Sequence, residues 1–138
     1  MTTKFFTIES AEKTLPRLKG LLRKAIHLNR QLQALHTESL VNQEEISVET
    51  EEHNIKYQFE VVKNHEELHE LTEEFYDVME QVEKTGVEIK DLEQGLVDFP
   101  SHFEGREVHL CWKLGEDRVK YWHELDTGFE ERQEIIEL

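Results

Sequence analysis

Over the first 85 residues of this chain Pro16 and Gly20 are the only proline and glycine, and both fall near the start of one periodic segment. A stretch that long without breakers reads as helix once its apolar residues recur at steps of three and four. Thr7 is placed to cap a helix N-terminus, and Glu9 and Glu12 stand where the positive end of the helix dipole favours carboxylates. Leu15, Leu18, Leu21, Leu22, Ala25, Ile26, Leu28, Leu32 and Leu35 then line one broad face. The spacing predicts an amphipathic helix over about residues 8–37. Pro16 lies too deep to be a first-turn proline, so it should remove one backbone bond and kink or break the helix near residues 12–16.

Residues 38–53 carry many carboxylates and little periodicity, and read as an acidic connection or as the extension of one of the helices. The period returns from about Glu52 through Tyr57, Val61, Asn64, Leu68, Leu71, Phe75, Val78 and Val82, and stops at Thr85-Gly86. Two helices of similar length joined in this way make an antiparallel hairpin over about residues 8–84. Asn64, the single polar residue of the second stripe, either sets the register or marks an edge.

The punctuation changes after that. Gly86, Gly95, Pro100, Gly105, Gly115 and Gly128 bracket short runs that alternate with period two, which predicts strands at 87–92, 96–99, 106–114 and 119–124. A turn centred on Glu116-Asp117 would set Leu114 opposite Val119, Trp112 opposite Tyr121 and Leu110 opposite His123. Those six and Val108 would share an oily face, with His109, Cys111, Lys113, Lys120, Trp122 and Glu124 on the other. Lys113 directly facing Lys120 counts against that register. The expected fold is α+β: one domain over residues 1–138, with a long antiparallel helical hairpin packed on a small antiparallel β-meander at about 86–126, and an acidic tail from about 130.

Charge narrows the function classes. A formal net charge of −15 gives no clustered cations to neutralise phosphates or an anionic bilayer, so neither a nucleic acid nor a membrane is an expected partner. Residues 1–30 hold no continuous apolar run, which argues against a signal peptide or spanning helix and leads to a cytoplasmic expectation. The single cysteine, Cys111, cannot form an internal disulfide.

His65-Glu66-Glu67-Leu68-His69 satisfies the H-E-x-x-H pattern in which two histidines one helical turn apart bind zinc and the glutamate activates water. With 8 histidines in the chain and glutamate abundant, the match is cheap. The apolar stripe runs through Asn64, Leu68 and Leu71, so His65 lies on its flank and His69 faces water; a solvent-facing pair is the plainer reading, and no metal or other cofactor is expected. Cys111 has His109 on its own strand face and His123 across the hairpin. Mid-strand is a poor setting for a thiolate, however, and a buried inert thiol accounts for it. Asp98, Arg106, Trp112, Glu116, Trp122, His123 and Arg132 gather at or near strand ends, as a hydrogen-bonded network or a small-ligand site would require.

The strings Gly95-Leu96-Val97-Asp98-Phe99-Pro100, Gly105-Arg106-Glu107-Val108, Leu110-Cys111-Trp112-Lys113-Leu114-Gly115-Glu116 and Tyr121-Trp122-His123-Glu124, followed by Gly128-Phe129 and Arg132, resemble a bacterial family catalogued as domain of unknown function 2203. Phe6-Thr7-Ile8-Glu9-Ser10-Ala11 and Leu15-Pro16 are similar to that family's start. The resemblance carries no activity, substrate or cofactor. It places the motif strings in the strand-rich half and leaves out His65 and His69. The expected function is a non-enzymatic protein-interaction or structural module, with room for a homodimer seam or another protein partner along the helices. The rival is a small-ligand-binding domain or minor hydrolase centred on His123, Glu116, Asp98 and Arg106, whose side chains would have to converge on one pocket.

Overall fold

The protein is described by a computed structural model, in which the backbone of residues 3–44 and 51–136 and the side chains of residues 3–37 and 63–136 are placed. It combines two helices with a five-stranded antiparallel sheet, an α+β fold. The chain forms two compact units, one of Met1–Ile26 with Met79–Leu138 and the other of His27–Val78.

Helix α1 spans Ile8–Glu44 and α2 spans Glu51–Lys84. At the start of α1 the Thr7 hydroxyl accepts from Ser10 N at 3.0 Å while Thr7 N donates to the Ser10 hydroxyl at 2.9 Å, a reciprocal cap in which serine stands in for the usual glutamate. The helix runs on through Pro16: Leu15 and Leu18 on either side are buried, and that packing holds the segment although one backbone bond is missing. The acidic connection is also shorter than its composition suggests. Residues 38–44 continue α1 because they hold no proline or glycine and are rich in strong helix formers, even though carboxylates near a helix C-terminus oppose the dipole. Residues 45–50 lie outside the described residues.

The sheet is a meander of β1 (Glu88–Asp91), β2 (Leu96–Phe103), β3 (Arg106–Lys113), β4 (Tyr121–Glu124) and β5 (Gln133–Glu134) in chain order. β2 continues past Pro100, where a strand end was expected. The Pro100 carbonyl accepts from Phe6 N at 2.7 Å, so the backbone polar groups of that residue point away from β3 and the missing N–H costs no ladder bond. Glu104 (φ 53°) and Gly105 (φ 79°) then form a two-residue turn with both residues left-handed, which matches the twist of the β2–β3 hairpin. The expected acidic tail is partly structure: β5 pairs with β4, and Ile135 packs on the core.

The β3–β4 register differs from the expected one by a single residue. Cys111 pairs with Tyr121, Leu110 with Trp122 and His109 with His123. The connection is a longer loop in place of a symmetric turn, closed by Glu116 N donating to the Lys113 carbonyl at 3.0 Å and by the Glu116 carboxylate accepting from Lys113 N at 2.8 Å. A one-residue slip moves every side chain of β4 to the other face. Trp122 therefore joins Val97, Phe99, Leu110 and Trp112 on the oily face, which packs with Ala11, Leu15, Leu18 and Leu22 of α1 and Val82 of α2. Both the first turns of α1 and the last turns of α2 contribute to this core, as two antiparallel helices would. In the second unit Leu28 and Val78 are buried, and Leu32, Leu35, Leu68, Leu71 and Phe75 are half-buried.

Candidate functional site

The same slip takes His123 off the oily face and sets it beside His109, Cys111 and Asp98. Along β2 and β3, Asp98 pairs with Cys111, and along β3 and β4, His109 pairs with His123, so four chemically capable side chains occupy adjacent rows of one face. This face is closed as well. Cys111 is 0%, Asp98 1% and His123 3% exposed. Over them lies a cavity of about 190 Å³ bounded by Lys90, Leu96, Leu125, Thr127 and Phe129.

Asp98 is the centre of the group. Its Oδ2 lies 2.9 Å from His123 Nε2 and 3.3 Å from His109 Nδ1. His123 Nδ1 is 2.7 Å from the Glu124 carbonyl, which can only accept, so that nitrogen carries a hydrogen and Nε2 is the one turned to Asp98. His109 Nε2 faces the Glu88 carboxylate at 3.6 Å. Burial pushes the Asp98 carboxyl upward, but its interactions with the His109 and His123 imidazoles outweigh that and hold the group below its ordinary value. Burial pushes the Cys111 thiol up to about 11; Asp98 adds to the effect and the Arg132 guanidinium opposes it. A neutral, enclosed thiol is a poor nucleophile.

The remaining predicted residues are divided by the fold. Arg106 stands at the solvent end of β3 and grips Glu124 through Nη2 at 2.6 Å and Nε at 3.2 Å. Arg132 binds Glu116 through two nitrogens at 2.8 and 3.1 Å and is sandwiched between Tyr121 and Phe129, 3.9 and 4.2 Å from the ring centres. Trp112 is core, its indole N–H donating to the Glu116 carbonyl at 3.2 Å, and Trp122 packs against Phe103 on the same side of the sheet. Asp98 and His123 thus meet, while Glu116 and Arg106 are each closed in a separate ion pair, and the four do not share one pocket. His65 and His69 are exposed, and His69 pairs with Glu73 at 3.1 Å. Sequence reasoning set His109 beside Cys111 but did not join either of them to Asp98. The period-two spacing of His109 from Cys111 was visible, but its meeting with Asp98 depends on strand pairing.

A second concavity lies on the oily side, where Phe5, Ile8, Phe103, Val108, Leu110 and Trp122 bound a cleft of about 610 Å³. Phe5 and Phe103 at its mouth are 40% and 47% exposed.

A small α+β protein with a buried Asp–His–His–Cys cluster on one sheet face and an apolar cleft on the other is the class that this geometry defines. The chain belongs to the family described as uncharacterized conserved protein (DUF2203), whose model matches residues 4–135. No curated protein and no solved structure matches it. Among the described residues no helix is long and apolar enough to cross a membrane.

Proposed function

We propose that this protein is a non-enzymatic binding module whose apolar cleft receives a neutral, flat organic molecule. The observation that carries this reading is the cleft itself: about 610 Å³ is the size of small-molecule sites, and its walls are mainly aromatic and aliphatic. The Phe103 and Trp122 rings lie 5.4 Å apart at 30°, and Phe5 and His102 lie 4.1 Å apart at 38°, so two tilted aromatic pairs border the space and offer ring faces to a ligand. Among the described residues its one carboxylate is Glu134, and the chain carries −15, which disfavours an anionic ligand. Reaction chemistry would need an open base or nucleophile, and the polar groups described above are instead locked in pairs or enclosed.

Titration with the neutral dye Nile red tests the proposal. Saturable binding with a blue shift and quenching of tryptophan emission is expected, weakened at least tenfold by joint Phe5→Ala and Phe103→Ala replacement with the thermal melting point little changed. Absence of saturable binding, or equal affinity in the double variant, rejects the cleft as a ligand site.

A further inference from the structure

The Asp98 cluster has the make-up of a metal centre. One ligand atom from each of Asp98, Cys111 and His123 lies within 4.8 Å of the others, and all three residues are buried. In a tetrahedral zinc site, bonds of about 2.0–2.3 Å put neighbouring ligand atoms roughly 3.3–3.7 Å apart. The observed separations of 2.9 Å from Asp98 to His123 and 3.3 Å from Asp98 to His109 are close to such edges.

Two further observations point to a cation site. Among the described residues, the buried side-chain atoms without a hydrogen-bond partner are Asp98 Oδ1 and His109 Nδ1, and both belong to this cluster. Buried polar atoms without a partner are costly, and a cation coordinated by His109 Nδ1 and by the Asp98 carboxylate would answer that cost. In addition, each histidine already has the outer partner that metal-bound imidazoles use. His123 Nδ1 donates to the Glu124 carbonyl at 2.7 Å, and His109 Nε2 faces the Glu88 carboxylate at 3.6 Å, which leaves one nitrogen of each ring turned inward.

We propose that Asp98, Cys111 and His123, with His109 as the fourth ligand, bind one zinc ion. Cys111 gives up its thiol proton to solvent on binding, and the thiolate and carboxylate together balance the two charges of the ion. A buried centre with no net charge avoids the cost that isolates most buried ions. Sulfur, imidazole and carboxylate together suit zinc better than magnesium or calcium, which take oxygen ligands. Arg132, held by Glu116, lies beside the sulfur. The site is independent of the apolar cleft, and either can stand without the other.

Untagged protein should carry close to one zinc per chain by elemental analysis. After stripping with a chelator it should take up cobalt(II) with the intense visible bands of four-coordinate geometry and a near-ultraviolet sulfur-to-cobalt band. Cys111→Ser should abolish the sulfur band, and His123→Asn and His109→Asn should each weaken cobalt binding at least tenfold. Joint replacement of His65 and His69 by asparagine should leave the spectrum unchanged. Absence of a sulfur-to-cobalt band in folded wild-type protein overturns the proposal without reliance on any variant. A wild-type spectrum in Cys111→Ser, unweakened binding in either His123→Asn or His109→Asn, or loss of binding with the His65 and His69 pair overturns it as well.

Discussion

Asp98 on β2 and His123 on β4 reach over the strand between them and meet at 2.9 Å, two ionisable side chains that are each almost fully enclosed. A pair in that position ties three strands together through a single contact. Removing one partner would strand the other in a medium that solvates it poorly, so the pair is costly to break even where its net contribution is small.

The pH dependence of stability should therefore report on Asp98. Its carboxyl lies below the ordinary value when folded and returns to about 3.9 when unfolded. It contributes stability that is fully present above the unfolded value and is lost as pH falls through the folded one. Urea titrations of metal-free protein at stepped pH should show wild type weakening below about pH 4, whereas Asp98→Asn should be about 1–3 kcal/mol less stable at neutral pH and flatter in acid.

Gly95 leaves no room for a side chain. It has φ +66°, an added Cβ would sit 2.4 Å from Leu114 Cβ, and its carbonyl accepts from Leu114 N at 3.0 Å. Gly95→Ala should cost about 1–3 kcal/mol in chemical denaturation through backbone strain and overpacking together. A neutral result would mean that the β2 start and the β3 end are not held this closely.

Packing of α1 on the sheet is concentrated in its first half. Leu18→Ala, at a fully buried position of the shared core, should lose about 2–5 kcal/mol. Leu32→Ala, at a half-buried position, should lose clearly less in the same thermal or urea series.

The two arginine pairs should behave differently. Arg106→Ala should leave the denaturation midpoint nearly unchanged, since its guanidinium is half exposed and water replaces Glu124 readily. Arg132→Ala should cost about 1–3 kcal/mol, and Arg132→Lys should not restore it, because the two-nitrogen grip on Glu116 and the stacking on Tyr121 and Phe129 need a flat guanidinium.

Cys111 should resist alkylation. With no exposure and its thiol pushed up to about 11, only about one molecule in a thousand would be thiolate at pH 8 even without the barrier of burial. Mass spectrometry after iodoacetamide treatment should show labelling only in denaturant; rapid labelling of native metal-free protein would contradict the enclosed site.

The helices were legible because their signals are local. Thr7, the leucine stripe and the stop at Thr85-Gly86 each act within a turn or two of chain, and the family strings marked the strand-rich half as the place to look. Pro16 did not end the helix, because Leu15 and Leu18 are buried on either side of it, and of the two readings of the acidic segment unbroken helix propensity favoured extension of α1 as far as Glu44. On β2, Pro100 looked like a stop because sequence alone cannot say which edge of a strand carries its N–H.

By itself the order of residues determined that this chain makes two long amphipathic helices followed by a glycine-punctuated run of strands, since periodicity and turn chemistry are properties of neighbours. The tertiary structure alone decided that His123 lies with Asp98, His109 and Cys111 while Trp122 lies in the core. Period-two alternation says which residues of a strand share a face. Which face meets the helices depends on a register that the β3–β4 loop, the burial of Trp112 and the packing of Trp122 on the core settle together, and a shift of one residue there exchanges core for site.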